Sequence, residues 1–136
     1  MFVVDASVAI KWFIQEKDSE KAILLKEKHI NGNTVLIAPD LLIYEVANVL
    51  AFSKMFSPAE AKRCLFDLYD LEIDLINPSI DIIPSAIELA ADKRLSVYDS
   101  CYLALARELD IKLITADEKL FRSVGENSCV ELLSNI

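Results

Sequence analysis

Five short, almost wholly apolar runs recur along the chain, and stretches with helical signals separate them. Strands that are buried on both faces of a parallel sheet are apolar along their length, because helices cover the sheet on either side. Strands alternating with helices are typical of α/β domains, so we expect an α/β fold with a parallel sheet. The predicted strands are Phe2–Val4, Thr34–Ile37, Ile73–Ile76, Lys112–Thr115 and Cys129–Leu132.

Capping and turn residues mark the helix boundaries. Residues 57–60 (Ser-Pro-Ala-Glu) form a capping box with proline at the first helical position, and residues 96–99 resemble a second box. Asn31-Gly32 marks a helix end, and Asp40 is expected to cap a helix. The predicted helices cover residues 8–14, 18–30, 41–54, 58–71, 80–93, 97–109 and 118–124. No repeat or linker divides residues 1–136, so we expect a single domain.

Composition excludes several kinds of site. With only two glycines, the chain cannot form the glycine-rich loops that bind nucleotide phosphates. The three cysteines form no C-x-x-C pair, so we interpret them as buried, reduced thiols of a cytoplasmic protein. The single histidine, His29, is interpreted as a solvated residue near a helix end, which leaves a zinc site or a serine–histidine triad without support. Neither a signal peptide nor a membrane span is expected.

Four carboxylates lie in otherwise apolar segments. Asp5 is the only charged residue among the first ten, and Asp117 comes just after the predicted strand that ends at Thr115. Glu45 and Asp99 are each the only charge within an apolar helical stretch. A helix that is apolar nearly all round is a buried helix, and an isolated buried carboxylate costs several kcal/mol unless something compensates it.

A bound cation would compensate these carboxylates. Asp5 and Asp117 follow strands, and the crevice of a parallel α/β sheet lies beyond the carboxyl ends of its strands. Glu45 and Asp99 lie in the first turns of helices that begin beside that crevice. Hard cations such as Mg²⁺ or Mn²⁺ prefer oxygen ligands, and such a site suits metal-assisted hydrolysis of phosphodiesters.

Each acid also has a purely structural interpretation. Asp99 can complete the capping box with Ser96, Asp117 can cap the helix that follows it, and Asp5 can be a turn residue. Two other Mg²⁺-dependent classes fit less well. A phosphoacceptor receiver module has a pair of acids after its first strand, and an aspartate-nucleophile phosphatase has Asp-x-Asp, whereas this chain reads Asp5-Ala6-Ser7. A non-catalytic, acidic Mg²⁺-binding signalling module remains an alternative.

Aromatic residues at helical spacings are expected to be core or interface residues before anything else. The residues concerned are Trp12, Phe13, Phe52, Phe66 and Tyr69.

Four segments in one order resemble the PIN-domain ribonucleases, and in particular the VapC-like toxins of toxin–antitoxin pairs. The segments are VVDASVAIKWF, APDLLIYEVANVL, LSVYDSCYLALA and LITADEKLF, and together they extend over essentially the whole chain. The acidic quartet of that family corresponds to Asp5, Glu45, Asp99 and Asp117. The hydroxyl that accompanies the last acid corresponds to Thr115, and Ser7 and Asn48 fall at positions that line the family's site.

The resemblance implies a three-layer α/β/α sandwich with strand order 3-2-1-4-5. It implies Mg²⁺ or Mn²⁺, with Asp5 and Asp99 as principal ligands and Glu45 and Asp117 completing the site or orienting water. Thr115 would position a ligand or a water molecule. The implied activity is endonucleolytic cleavage of RNA by a metal-activated water, and the implied partners are an antitoxin and a second copy of the chain. An RNA-processing nuclease without an antitoxin is the alternative within the same chemistry.

The net charge of −8 opposes this interpretation, because nucleic-acid-binding proteins usually carry a basic surface. Cations at the quartet would offset part of the excess. Lys11, Lys54, Lys93, Arg94 and Lys119 are the candidates for a local basic rim.

Overall fold

A computed structural model describes residues 1–125 and 128–136. Five parallel strands form one sheet in the order β3-β2-β1-β4-β5, as the resemblance implied. Helices cover both faces of this sheet in a three-layer α/β/α arrangement. The strands are β1 (Phe2–Val4), β2 (Leu36–Pro39), β3 (Asp74–Ile76), β4 (Lys112–Thr115) and β5 (Val130–Leu132).

The shortest strands lie at the centre and edges of the sheet, and β1 is the central one. Phe2 aligns with Leu36 of β2 on one side and with Lys112 of β4 on the other. Val3 and Val4 are completely buried, because both faces of β1 are covered. All the strands run in the same direction, so the residues after β1 and at the end of β4 lie close together at the carboxyl-terminal end of the sheet.

Seven α-helices and two short 3-10 helices are present in the described residues. The central one is α6, in which every residue from Ser100 to Ala106 is buried, because this helix packs on β1, β2 and β4 and against α5. The helices are α1 (Ala6–Ala9), α2 (Ser19–Ile30), α3 (Leu41–Phe52), α4 (Pro58–Asp70), α5 (Ile82–Lys93), α6 (Val97–Glu108) and α7 (Glu118–Val124), and the 3-10 helices are Ile10–Trp12 and Leu133–Asn135. None of the helices described is long and apolar enough to span a membrane.

Several predicted boundaries and one predicted helix cap were wrong. The second strand begins at Leu36, two residues later than predicted, and continues through Pro39. The backbone N–H of Asp40 donates to the Ile76 carbonyl and extends the pairing of β2 with β3. Asp40 already has helical backbone angles, so its side chain does not cap α3 as predicted. The first helix is shorter than predicted and continues as the 3-10 turn Ile10–Trp12.

His29 is a bridging residue and not the solvated helix-end residue that we predicted. Its Nδ1 accepts a hydrogen bond from the Leu36 N–H at 3.2 Å, and its Nε2 lies 2.8 Å from the Leu71 carbonyl. Because Nδ1 accepts, Nε2 carries the proton and donates. The imidazole thus ties the end of α2 to β2 and to the residue after α4.

The aromatic residues and the cysteines divide between core and surface. Trp12 is buried and its Nε1–H donates to the Ala22 carbonyl at 2.9 Å. Three of the aromatic residues, Phe52, Phe66 and Tyr69, are exposed and so are not core residues. That they are interface residues stays a prediction. The three cysteines are free thiols, and Cys101 is buried whereas Cys64 and Cys129 are partly exposed, so the prediction of burial was wrong for these two.

Replacing Ser57 should destabilise α4. Its hydroxyl accepts from the Glu60 N–H, and the Glu60 carboxylate accepts from the Ser57 N–H, so the predicted capping box is confirmed. We expect Ser57→Ala to lower the free energy of unfolding by about 1 kcal/mol in urea titrations. Glu60→Gln keeps an acceptor oxygen and should change stability less. A Ser57→Ala protein as stable as the parent would contradict this role for the box.

Candidate active site

Asp5 is the buried carboxylate at the centre of the site, only 6% exposed. It directly follows β1 and is the N-cap of α1, where its Oδ1 accepts the Val8 N–H at 3.3 Å. The Ser7 hydroxyl donates to Oδ1 at 2.5 Å, and the Thr115 hydroxyl donates to Oδ2 at 2.5 Å. Both carboxylate oxygens therefore have donors from the protein.

Backbone amides on the β4 side orient the two hydroxyls that serve Asp5. The Ala116 N–H donates to Ser7 Oγ at 2.8 Å, and the Asp117 N–H donates to Thr115 Oγ1 at 3.0 Å. Because each hydroxyl oxygen accepts from an amide, its own hydrogen is directed to the carboxylate. This network joins the end of β1 to the end of β4.

Glu45 and Tyr102 form a second pair beside Asp5. Glu45 projects from α3 and is half-buried, whereas Tyr102 of α6 is only 1% exposed. The Tyr102 hydroxyl donates to Glu45 Oε1 at 2.7 Å. Tyr102 lies three residues after Asp99 on the same helix, so the two side chains share one face of α6.

Asp99 and Asp117 both lie at helix starts. The Ser96 hydroxyl accepts the Asp99 N–H at 3.0 Å, which is one of the two hydrogen bonds of the capping box predicted for α6. The Asp99 carboxylate does not accept the Ser96 N–H, so the predicted box is only half formed. Asp117 is the N-cap of α7, and its Oδ1 accepts the N–H groups of Lys119 and Leu120 at 2.9 and 3.1 Å. The predicted capping role is therefore confirmed for one carboxylate oxygen of Asp117, whereas the Asp99 carboxylate does not complete a capping box.

One cavity of about 290 Å³ brings the predicted site residues together. Its lining includes all four acids, Asp5, Glu45, Asp99 and Asp117, together with Ser7, Asn48 and Tyr102. Thr115 is fully buried and meets the site through Asp5. Tyr102 was missed in the sequence, where only its i+3 spacing from Asp99 pointed to it. The apolar side chains of Ile10 and Val49 also line the cavity.

Burial and mutual repulsion raise the pKa values of three of the acids. Burial raises the pKa of Asp5 from 3.8 to about 6, although the hydrogen bonds from Ser7 and Thr115 oppose the rise. Burial, and then the Asp99 charge, raise the pKa of Glu45. The pKa of Asp99 is also raised, by burial first and by Asp117 second. Burial and the adjacent Glu45 raise the pKa of Tyr102 far above its usual range, so its hydroxyl keeps its proton.

The donor chemistry of the cavity fits a hard divalent cation. Its four carboxylates are the oxygen ligands that Mg²⁺ and Mn²⁺ prefer, and they raise one another's pKa values. Within the described residues, no three acidic, histidine or cysteine side chains already converge as closely as in an assembled metal centre. Like charges repel one another, and donors of the chain hold Asp5, Glu45 and Asp117 in the arrangement seen.

The candidate rim cations have different surroundings. The ammonium of Lys119 on α7 acts on Asp99 and opposes the rise in its pKa. Lys11 is buried and pairs with Glu16 at 3.1 Å, so its inclusion in an exposed basic rim was wrong. Lys93 lies 3.4 Å from Asp92.

Comparisons with known proteins find relatives over most of the chain. A family model described as PIN domain matches residues 2–127. Ribonuclease VapC3 of Pyrobaculum aerophilum is 33% identical over 122 residues, which cover 87% of this chain and 90% of that protein. Ribonuclease VapC9 of Mycobacterium tuberculosis is 29% identical over 132 residues, covering 95% and 94%. A chain in a solved toxin–antitoxin complex from Klebsiella pneumoniae has the same fold, with a TM-score of 0.72 at 18% identity and 98% coverage of both chains.

Stability without divalent cations should fall as the pH rises from about 4 to about 6. Over this range folded Asp5 keeps the proton that unfolded Asp5 has lost, so the folded state binds more protons. The shift from 3.8 to about 6 corresponds to about 3 kcal/mol for this one group. Glu45 and Asp99 add to the fall in the same direction.

Urea unfolding in EDTA at a series of pH values checks this dependence. Asp5→Asn should flatten the fall, whereas Asp67→Asn, at an exposed position on α4, should keep it. Parallel stability profiles for the parent and Asp5→Asn would show that the burial of Asp5 has no such consequence.

Proposed function

The chain belongs to the PIN-domain family, and on that premise we propose that it is a metal-dependent endoribonuclease and the toxin of a toxin–antitoxin pair. Relatives that align with most of its length are named ribonucleases. The observation that carries the proposal is the cavity in which three further carboxylates lie around buried Asp5. A single-domain chain of residues 1–136 acting on RNA in the cytoplasm is part of the same proposal.

The acids have different roles in this proposal. Asp5 and Asp99 are the principal ligands of Mg²⁺ or Mn²⁺, and Glu45 and Asp117 complete the site or orient water. A divalent cation there supplies an activated water and offsets the charge that develops on the scissile phosphate. Asn48 and Ser7 are the polar lining of the cavity.

The protein's own contribution is to hold the acids in place before substrate arrives. Ser7 and Thr115 fix both oxygens of Asp5, so little rearrangement of this carboxylate is needed. One oxygen of Asp117, Oδ1, accepts hydrogen bonds from two backbone amides of α7. Its second oxygen accepts no hydrogen bond from the described residues. An acidic cavity repels RNA phosphates, which explains why cleavage should depend strictly on cations.

The antitoxin partner and the homodimer have different support. A structural neighbour of the chain was solved as a toxin–antitoxin complex, which supports an antitoxin as partner. The homodimer follows from the family resemblance, and sedimentation of the purified protein tests it. The acidic surface favours a basic antitoxin segment as the ligand that covers the cavity.

Cleavage of RNA should require both the cation and the buried acids. With structured RNAs in Mg²⁺ or Mn²⁺, we expect cleavage by the parent, none in EDTA, and at least about a hundredfold loss in Asp5→Asn and in Asp99→Asn. Such a loss corresponds to about 3 kcal/mol of transition-state stabilisation. Asp67→Asn, which removes an exposed charge on α4, should leave the rate unchanged.

Undiminished cleavage by Asp5→Asn and Asp99→Asn would overturn the assignment. Cation binding without any RNA cleavage would favour the alternative of a non-catalytic Mg²⁺-binding module.

Expression in a bacterial host separates a toxin from an RNA-processing nuclease. We expect the parent to arrest growth, Asp5→Asn to be harmless, and co-expression with the antitoxin encoded beside it to restore growth. The reason is that uncontrolled endonucleolytic cleavage depletes essential RNA, and the antitoxin blocks the site. Normal growth together with RNA cleavage in vitro would favour the processing nuclease. Colony counts and optical density are the measurements.

A further inference from the structure

Tyr102 is a buried hydroxyl at the acidic cavity that the proposed roles do not use. It lines the cavity beside Asp5, Glu45 and Asp99, and it is almost inaccessible to solvent. In the described residues, its hydroxyl makes one hydrogen bond, the donation to Glu45 Oε1 at 2.7 Å. A buried phenol usually finds a partner, and here that partner is one of the four acids.

The Glu45 carboxylate has no other protein donor in the part of the chain that the structure describes. Its side chain has three rotatable bonds, and it lies close enough to Asp99 for the two charges to repel. Without Tyr102, this repulsion and the freedom of a half-buried side chain would both favour conformers that turn away from the cavity. The hydrogen bond to Oε1 opposes them and leaves Oε2 without a protein donor.

The support of Glu45 resembles that of Asp5. Asp5 receives hydroxyl donors from Ser7 and Thr115, and Glu45 receives one from Tyr102. Each carboxylate accepts from a hydroxyl of a distant element, Thr115 of β4 for Asp5 and Tyr102 of α6 for Glu45. The position of each acid therefore depends in part on tertiary packing. Outer partners of this kind typically change metal affinity about tenfold to a hundredfold when they are removed.

We propose that Tyr102 is a positioning residue that holds the Glu45 carboxylate at the cavity, so that Glu45 can serve a divalent cation or its bound water. The proposal rests on the proposed function for the nature of the ligand. It concerns the binding of Mg²⁺ or Mn²⁺ itself, and it can be measured without RNA.

The test is the affinity for Mn²⁺, measured by electron paramagnetic resonance of the free ion with the purified full chain. Tyr102→Phe removes one oxygen and keeps the ring, so the core of α6 should stay packed. We expect Mn²⁺ to bind about tenfold more weakly to this variant. Tyr98→Phe is the matched control, because it removes a hydroxyl from an exposed residue of the same helix, and it should bind Mn²⁺ as the parent does.

A double-mutant cycle distinguishes positioning of Glu45 from a general structural effect. In a Glu45→Ala background, Tyr102→Phe should cause no further loss of Mn²⁺ affinity, because the carboxylate that it positions is gone. The same loss in both backgrounds, or unchanged affinity in Tyr102→Phe, would overturn the proposal. Should Tyr102→Phe melt at a much lower temperature than the parent, Tyr102→Met is a second variant without the hydroxyl. The double-mutant cycle is then measured with Tyr102→Met and Glu45→Ala.

The outcomes also separate this inference from the proposed function. A parent that binds Mn²⁺ through Tyr102 and Glu45 but does not cleave RNA overturns the nuclease and keeps the positioning role. A parent that cleaves RNA, with Tyr102→Phe unchanged in Mn²⁺ affinity, keeps the nuclease and overturns the positioning role. A parent that binds no Mn²⁺ overturns both.

Discussion

The hydrogen bonds to buried Asp5 connect the architecture of the sheet with the chemistry of the cavity. Burying a carboxylate costs free energy unless hydrogen-bond donors compensate it. For Asp5 these donors are Ser7, Val8 and Thr115. Two of these donors follow β1 and the third ends β4, so the pairing of the central strands determines whether the carboxylate is tolerated. The remaining acids then gather around a charge whose position the sheet has set.

Most of the fold could be predicted from local patterns, because each strand is an apolar run between helix signals. The order of the strands came from the family resemblance, since periodicity alone does not determine which strands are neighbours. Local rules failed where a distant partner overrode them. The Asp40 N–H extends the pairing of β2 with β3, and the His29 ring forms hydrogen bonds with Leu36 and Leu71.

The four acids of the candidate site were predictable because each stands out against apolar neighbours. The residues that donate hydrogen bonds to these acids were harder to predict. Thr115 was identified through its correspondence with the family, but Tyr102 and Glu45 are 57 positions apart, and their contact depends on how α3 and α6 are rotated against each other. No single-sequence pattern records that rotation. The acidic net charge was misleading as a guide to function, because it averages exposed acids with the few that line the cavity.

The Asp5–Thr115 hydrogen bond, which joins residues 110 positions apart, also bears on when the cavity comes into being during synthesis. Strand β1 is made first, but its neighbour β4 is made only after β2, β3 and six intervening α-helices. Until then a nascent chain has Asp5 without its Thr115 donor and lacks Asp117 altogether. The nascent chain on the ribosome therefore has an incomplete cavity until β4 and Asp117 have been made, and the acidic centre is assembled only when β4 joins the sheet.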